Sequence, residues 1–201
     1  MRKWMVLSIL IIAALAIAPA QAQGNKYKAY VAFNYVTVTS DSVIDEETIA
    51  ATDEAGWSLG FEWRLGKWGG LEFDYLNASH DVQVDDVTIA DTVMKPLSAS
   101  FNFHLLHSKV IDFYFGPTIS YVMWDDITLN GGGTIPTDSE WGYGLQVGAD
   151  FSIIKSVAIV TGLRYLSLDV SGDGDSVGVN PLYAKVGIAI REMVNDVDRD
   201  I

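Results

Sequence analysis

The 201-residue sequence predicts an all-β fold: an eight-stranded antiparallel up-and-down barrel that crosses a membrane with its strands. Three observations predict it. Apolar residues alternate with small or polar ones in eight separate stretches, the period-two repeat of a strand. Short and long connections alternate strictly between those stretches, which puts every tight turn at one end of the sheet and every long loop at the other. Aromatic residues gather near both ends of the stretches, where two membrane–water interfaces would lie. The chain is 49% hydrophobic and 11% aromatic, a composition that excludes a disordered protein.

The elements follow in order. Arg2 and Lys3 give a positive start, Met5 to Ala18 is apolar, and Ala20-Gln21-Ala22 is a small-x-small cleavage site. These are the three parts of a secretory signal peptide, expected over 1–22. The other reading is a membrane anchor helix, but the apolar run falls short of the roughly 20 residues that a span needs. Loss of this segment removes two cations and no acid, taking the net charge from -13 to -15. Such a charge excludes nucleic acid as a partner, which requires a basic surface. With no cysteine there is no disulfide, thiol nucleophile or thiolate metal site.

The barrel is expected over 23–190. Its strands are placed at about 27–39, 57–66, 70–79, 93–106, 110–124, 140–154, 156–168 and 180–191. In the second, Trp57, Leu59, Phe61, Trp63 and Leu65 form one face and Ser58, Gly60, Glu62, Arg64 and Gly66 the other. The sixth alternates Trp141, Tyr143, Leu145, Val147 and Ala149 with Gly142, Gly144, Gln146, Gly148 and Asp150. Tight turns follow the second, fourth and sixth strands, around Lys67, Lys109 and Lys155. Long loops at roughly 40–54, 79–92, 125–139 and 169–179 are rich in acids and lack Lys and Arg.

Which way the apolar face points decides between a soluble barrel of lipocalin type and a membrane barrel. An eight-stranded barrel has room inside for only a few side chains. The bulky faces of all eight strands cannot fit there, whereas glycines and a few polar chains can, so the apolar face points to lipid. Tyr35, Trp57, Tyr75, Tyr121, Trp124, Trp141, Tyr143 and Tyr165 then form the outer girdle. Tyr27, Trp63, Trp68, Phe103, Phe113 and Phe151 form the inner one.

The inward face carries Glu62, Arg64, Glu72, Asp74, His104, Asp112, Asp150, Arg164 and Lys185, joined by Lys28. Buried charges must be paired. An ion-paired plug centred on Arg64, Arg164 and Lys185 is expected, with Arg64 opposite Glu72, Glu62 opposite Asp74 and His104 opposite Asp112. A gate or polar channel is the other use of the same residues.

Stretches such as GWSLGFEWRLG and FYFGPTISYVMW, with the eight-strand pattern and acidic outer loops, resemble the small bacterial outer-membrane barrels, the group of the OmpA barrel domain, OmpX and OmpW. The likeness covers about Lys26 to Ile190. It implies export to the bacterial outer membrane, insertion by the barrel-assembly machinery, contact with outer-membrane lipids and lipopolysaccharide, and a monomer. It also implies an aromatic residue closing the last strand, where this chain has Glu192, followed by a charged tail over 191–201. The role implied is structural or adhesive, with a narrow OmpW-like channel for small solutes as the alternative.

The sequence offers two further candidate sites. DVSGDGDS offers Asp169, Asp173 and Asp175 as candidate divalent-cation ligands, but the twelfth position of the calcium-loop pattern is Asn180 rather than Glu. Some barrels of this kind modify lipid A. Ser79-His80-Asp81 is a poor triad for that chemistry, because neighbouring strand residues point to opposite faces. No catalytic residue and no cofactor is expected.

Overall fold

The computed structural model describes residues 27–38, 42–44, 47–66, 68–84, 87–108, 110–172 and 175–191. The signal segment 1–22, Asp173 and the tail from Glu192 lie outside them. Among the described residues thirteen strands follow in chain order: β1 (Tyr27–Val38), β2 (Ser42–Ile44), β3 (Glu47–Ala51), β4 (Glu54–Arg64), β5 (Gly69–Val84), β6 (Val87–His107), β7 (Ile111–Trp124), β8 (Ile127–Leu129), β9 (Thr134–Ile135), β10 (Glu140–Ile154), β11 (Val157–Gly172), β12 (Asp175–Val179) and β13 (Pro181–Arg191).

Eight of them close a ring. β1 pairs antiparallel with β4 on one side and with β13 on the other, and β5, β6, β7, β10 and β11 complete the circuit between. Closure leaves no unpaired backbone edge within the wall, the condition for a sheet in lipid. No helix among the described residues is long and apolar enough to cross a membrane; the crossing is made by strands. The last strand includes Arg191, as expected, and Arg191 pairs across the seam with Lys28.

Alternation orders the wall. Along β1, exposed Tyr27, Ala29, Val31, Phe33 and Tyr35 interleave with buried Lys28, Tyr30, Ala32, Asn34 and Val36. The exposed face is bulky and apolar throughout, with Leu145, Val186, Ile188 and Ile190 all more than half exposed. Burying that face in hydrocarbon satisfies it; in water it would far exceed the apolar patch a soluble protein tolerates.

Three expectations change. The long loops are not irregular. β5 and β6 continue as paired strands well past the girdle, β2 and β3 add to β5, β8 and β9 add to β6, and β12 folds back on β11. An outer sheet extension therefore rises above the membrane. The added strands β2, β3, β8, β9 and β12 are only two to five residues long, too short for a period-two repeat to stand out in sequence.

Second, the register across two tight turns is shifted. Glu62 faces Glu72, Arg64 faces Gly70 and Gly60 faces Asp74. The hairpin is tighter than expected because Gly66 takes a left-handed backbone with φ 104° and Leu65 already closes on the Gly69 carbonyl at 2.9 Å. In the next inner turn His104 faces Tyr114 and His107 faces Asp112, because a β-bulge inserts a residue between His104 and Leu106. Third, Trp124, expected in the outer girdle, turns inward and packs on an apolar cluster in the lumen.

Candidate functional site

The lumen is the candidate site, and it is filled in two layers. The inner layer is charged. Five carboxylates, Glu62, Glu72, Asp74, Asp112 and Asp150, meet five cations, Lys28, Arg64, Arg164, Lys185 and Arg191. All ten side chains are almost wholly buried, so the balance of charge is a condition for folding rather than an ornament.

Glu72 is one hub. Its Oε1 accepts from Tyr30 Oη at 2.8 Å, Lys185 Nζ at 2.9 Å and Arg164 Nη2 at 3.3 Å, and its Oε2 accepts from Asn102 Nδ2 at 2.9 Å. Asn102 Oδ1 accepts from Gln146 Nε2 at 2.6 Å, and Gln146 Oε1 accepts from Arg164 Nε at 3.0 Å. Glu72, Asn102, Gln146 and Arg164 thus form a closed ring of bonds joining β5, β6, β10 and β11. Arg164 also donates to Asp74.

Glu62 is the other hub. It holds Lys28 Nζ at 2.5 Å and His104 Nε2 at 2.8 Å, while His104 Nδ1 meets Asp112 Oδ1 at 2.9 Å. Arg64 pairs with Asp112 as well. Lys28 reaches Asp150 at 3.0 Å and Arg191 reaches the same Asp150 oxygen at 2.9 Å. The expected members all lie here. The shifted register changes their pairing but not their company: the long side chains bridge diagonally, as Arg64 to Asp112 and His104 to Glu62. Lys28, placed on the inward face from sequence, is as central as Arg64, Arg164 and Lys185. Arg191, not named there, is equally central, and its inward parity, six residues from Lys185, is the signal that finds it.

The outer layer is apolar. Val36, Leu76, Ala78, Met94, Val122, Leu166, Leu168 and Tyr183 form one buried cluster, with Trp124 packed on it. Met94, Val122 and Leu166 have no exposed surface. Tyr183 Oη donates to Met94 Sδ at 3.7 Å. These residues sit on the inward parity of β1, β5, β6, β7, β11 and β13, toward the outer end. A focus on charges passes over them, although the same alternation places them inside.

Trp57, Trp63, Trp141, Tyr143 and Tyr165 are exposed on the wall, and Trp68 is exposed in the turn between β4 and β5. Tyr121 packs beside Trp141 with ring centroids 5.1 Å apart, and Trp57 beside Tyr75 at 5.8 Å. For the candidate cation ligands, Asp169 pairs by backbone with Gly178 and Asp175 with Gly172 on the β11–β12 hairpin. Among the described residues no group of three or more His, Asp or Glu is arranged to hold a metal ion.

Comparison with known proteins agrees with this architecture. Among solved structures, the outer membrane protein OprG from Pseudomonas aeruginosa superposes with a TM-score of 0.69 at 12% identity, covering 86% of this chain and 98% of that one. Neisserial surface protein A gives 0.65 at 14% identity, covering 85% and 100%. The Escherichia coli outer membrane protein W gives 0.57 at 18% identity, covering 86% and 100%. The Yersinia pestis attachment invasion locus protein Ail, solved in complex with the heparin analogue sucrose octasulfate, gives 0.54 at 14% identity, covering 85% and 100%. At such identities the likeness is one of fold. No curated protein sequence matches the chain. The family model described as an outer membrane protein beta-barrel domain matches residues 8–191, nearly the whole sequence. The closed eight-stranded wall, its apolar belt and that match together make the chain a member of the outer membrane protein beta-barrel family.

Proposed function

We propose that this bacterial outer-membrane protein is a closed barrel with a structural and surface-contact role, not a conduit. The observation that carries the reading is the double closure of the lumen. An ion path would have to break the charge-balanced inner layer and then wet the apolar layer of Met94, Val122 and Leu166 above it. Removing one partner from a buried ion pair costs about 3–5 kcal/mol. Thermal fluctuation therefore opens such a lumen rarely.

Its contact surface is the outer extension, which is acidic. Asp53, Asp91, Asp125, Asp126 and Asp138 are exposed there, and the one described cation at that level, Lys95, is held by Asp125 at 2.6 Å. Ail was solved with a polyanion. The opposite sign of charge here favours cationic partners and divalent ions bridging to lipopolysaccharide phosphates. The monomer, the signal peptide and insertion by the barrel-assembly machinery belong to the same reading. So does the absence of catalysis: the His80 ring is turned to the Thr52 carbonyl, away from Ser79 and Asp81.

Planar-bilayer recording of the refolded protein tests the closure. We expect no stepwise ion conductance from the wild-type chain. Reproducible single-channel steps that vanish without the protein would overturn the reading in favour of a narrow channel.

A further inference from the structure

Where the membrane wall passes into the outer extension, the chain carries one extra residue. Ala51 pairs with Val82 and Gly56 with Ala78 on the same strand, so the segment between them is a β-bulge. It lies beyond the outer girdle, His80 standing five residues past Tyr75 on β5. Thr52 is the point of attachment. Its N–H donates to the Asp81 carbonyl at 2.9 Å, its Oγ1 accepts from the Asp81 N–H at 3.0 Å, and its carbonyl faces His80 Nδ1 at 3.0 Å.

A carbonyl only accepts, so Nδ1 carries the hydrogen and the neutral ring leaves Nε2 bare. His80 is 1% exposed, and Nε2 is buried without a hydrogen-bond partner among the described residues. A proton there becomes a buried donor with no acceptor. The surroundings hold several charges. Glu54 and Asp53 flank the bulge, and Asp81 is the neighbour on β5. On β6, Thr92 lies opposite His80 and Asp91 opposite Asp81, while the Thr92 hydroxyl donates to the Asp125 carbonyl. Asp125 itself is neutralised by Lys95.

We propose that His80 is an acid-sensitive latch: neutral, it fastens the bulge to β5, and protonated, it releases the bulge and loosens β2 and β3 above while the membrane wall stays shut. Burial holds the His80 pKa below its ordinary value of about 6.5, outweighing the Thr52 carbonyl and the carboxylates of Glu54, Asp53 and Asp81. Since the folded value is the lower one, the latch is whole above about pH 6.5 and is lost as pH falls through the folded value.

The experiment is hydrogen exchange on the full refolded chain in lipid nanodiscs, at about pH 7.5 and about pH 5, corrected for intrinsic rates. Exchange over 47–56 rises about tenfold in the wild type on acidification, with the belt segments unchanged, and stays flat in His80→Gln, whose amide keeps a donor for Thr52. No rise in the wild type, or the same rise in the variant, overturns the proposal. Should the variant not fold, the ring titration of His80 by NMR decides. A midpoint below about 6.5 supports the latch; one at or above that value sinks it.

Discussion

Asp150 shows how a single side chain fixes the barrel's seam. Lys28 of the first wall strand and Arg191 of the last face each other directly across it, and like charges so placed repel. Asp150, reaching in from β10, takes both: Lys28 at 3.0 Å and Arg191 at 2.9 Å. Arg191 adds a bond to Ser152 Oγ at 3.0 Å, which ties the end of β13 to β10 a second time. The Asp150→Asn variant leaves two cations opposed in a buried site. Urea unfolding in lipid vesicles should register a loss of about 3–5 kcal/mol. Arg191→Leu should cost far less in the Asp150→Asn background than in the wild type, a coupling that a double-mutant cycle measures. Additive effects would mean that Asp150 does not bridge the seam.

Among the wall strands, the inward glycines explain how the lumen holds two tyrosines. Gly60 lies opposite Tyr30 and Gly148 opposite Tyr114 across neighbouring strands. A Cβ at Gly60 would come within 2.1 Å of the Tyr30 ring, and one at Gly148 within 2.4 Å of the Tyr114 ring. Each ring fills the space that a side chain at the glycine would take, and a lysine lies over it, Lys185 at 4.5 Å from Tyr30 and Lys28 at 4.7 Å from Tyr114. Gly60→Ala or Gly148→Ala should therefore lower stability by about 1–3 kcal/mol, the cost of overpacking, with the same unfolding assay as readout. Stability within error of wild type would show that the rings move aside freely. At this scale the sequence is informative about faces and poor about register. Alternation assigns Gly60, Glu62 and Arg64 to the lumen with no other knowledge. It cannot tell that Glu62 faces Glu72 instead of Asp74, because that depends on the Gly66 backbone and on the bulge at Leu105, which are set by local turn geometry. Trp124 failed for a related reason: its aromatic type suited the girdle, but its parity with Val122 put it inside.

Taken as a whole, the molecule is divided by charge along the barrel axis. Acids dominate above the girdle, ion pairs fill the inner lumen, and the inner turns carry Lys67, Lys109 and Lys155. The strict alternation of connection lengths made this polarity readable from sequence, whereas the outer extension was not, since its added strands are two to five residues long and carry too few alternations to reveal them. The same division gives a test of orientation in the cell. Proteases acting on intact cells reach only the outer extension. An acid-specific endoprotease should cleave there, at positions such as Asp126 and Asp138, and release short outer fragments. Trypsin should leave the protein whole, because Lys95 is bound to Asp125 at the rim and the other described cations lie in the lumen or at the inner end. After the cells are opened, trypsin gains access to the inner turns and cuts at Lys155, an exposed turn residue. Tryptic cleavage at Lys155 in intact cells would place the turns outside, and the assignment of the acidic extension to the cell surface would have to be reversed.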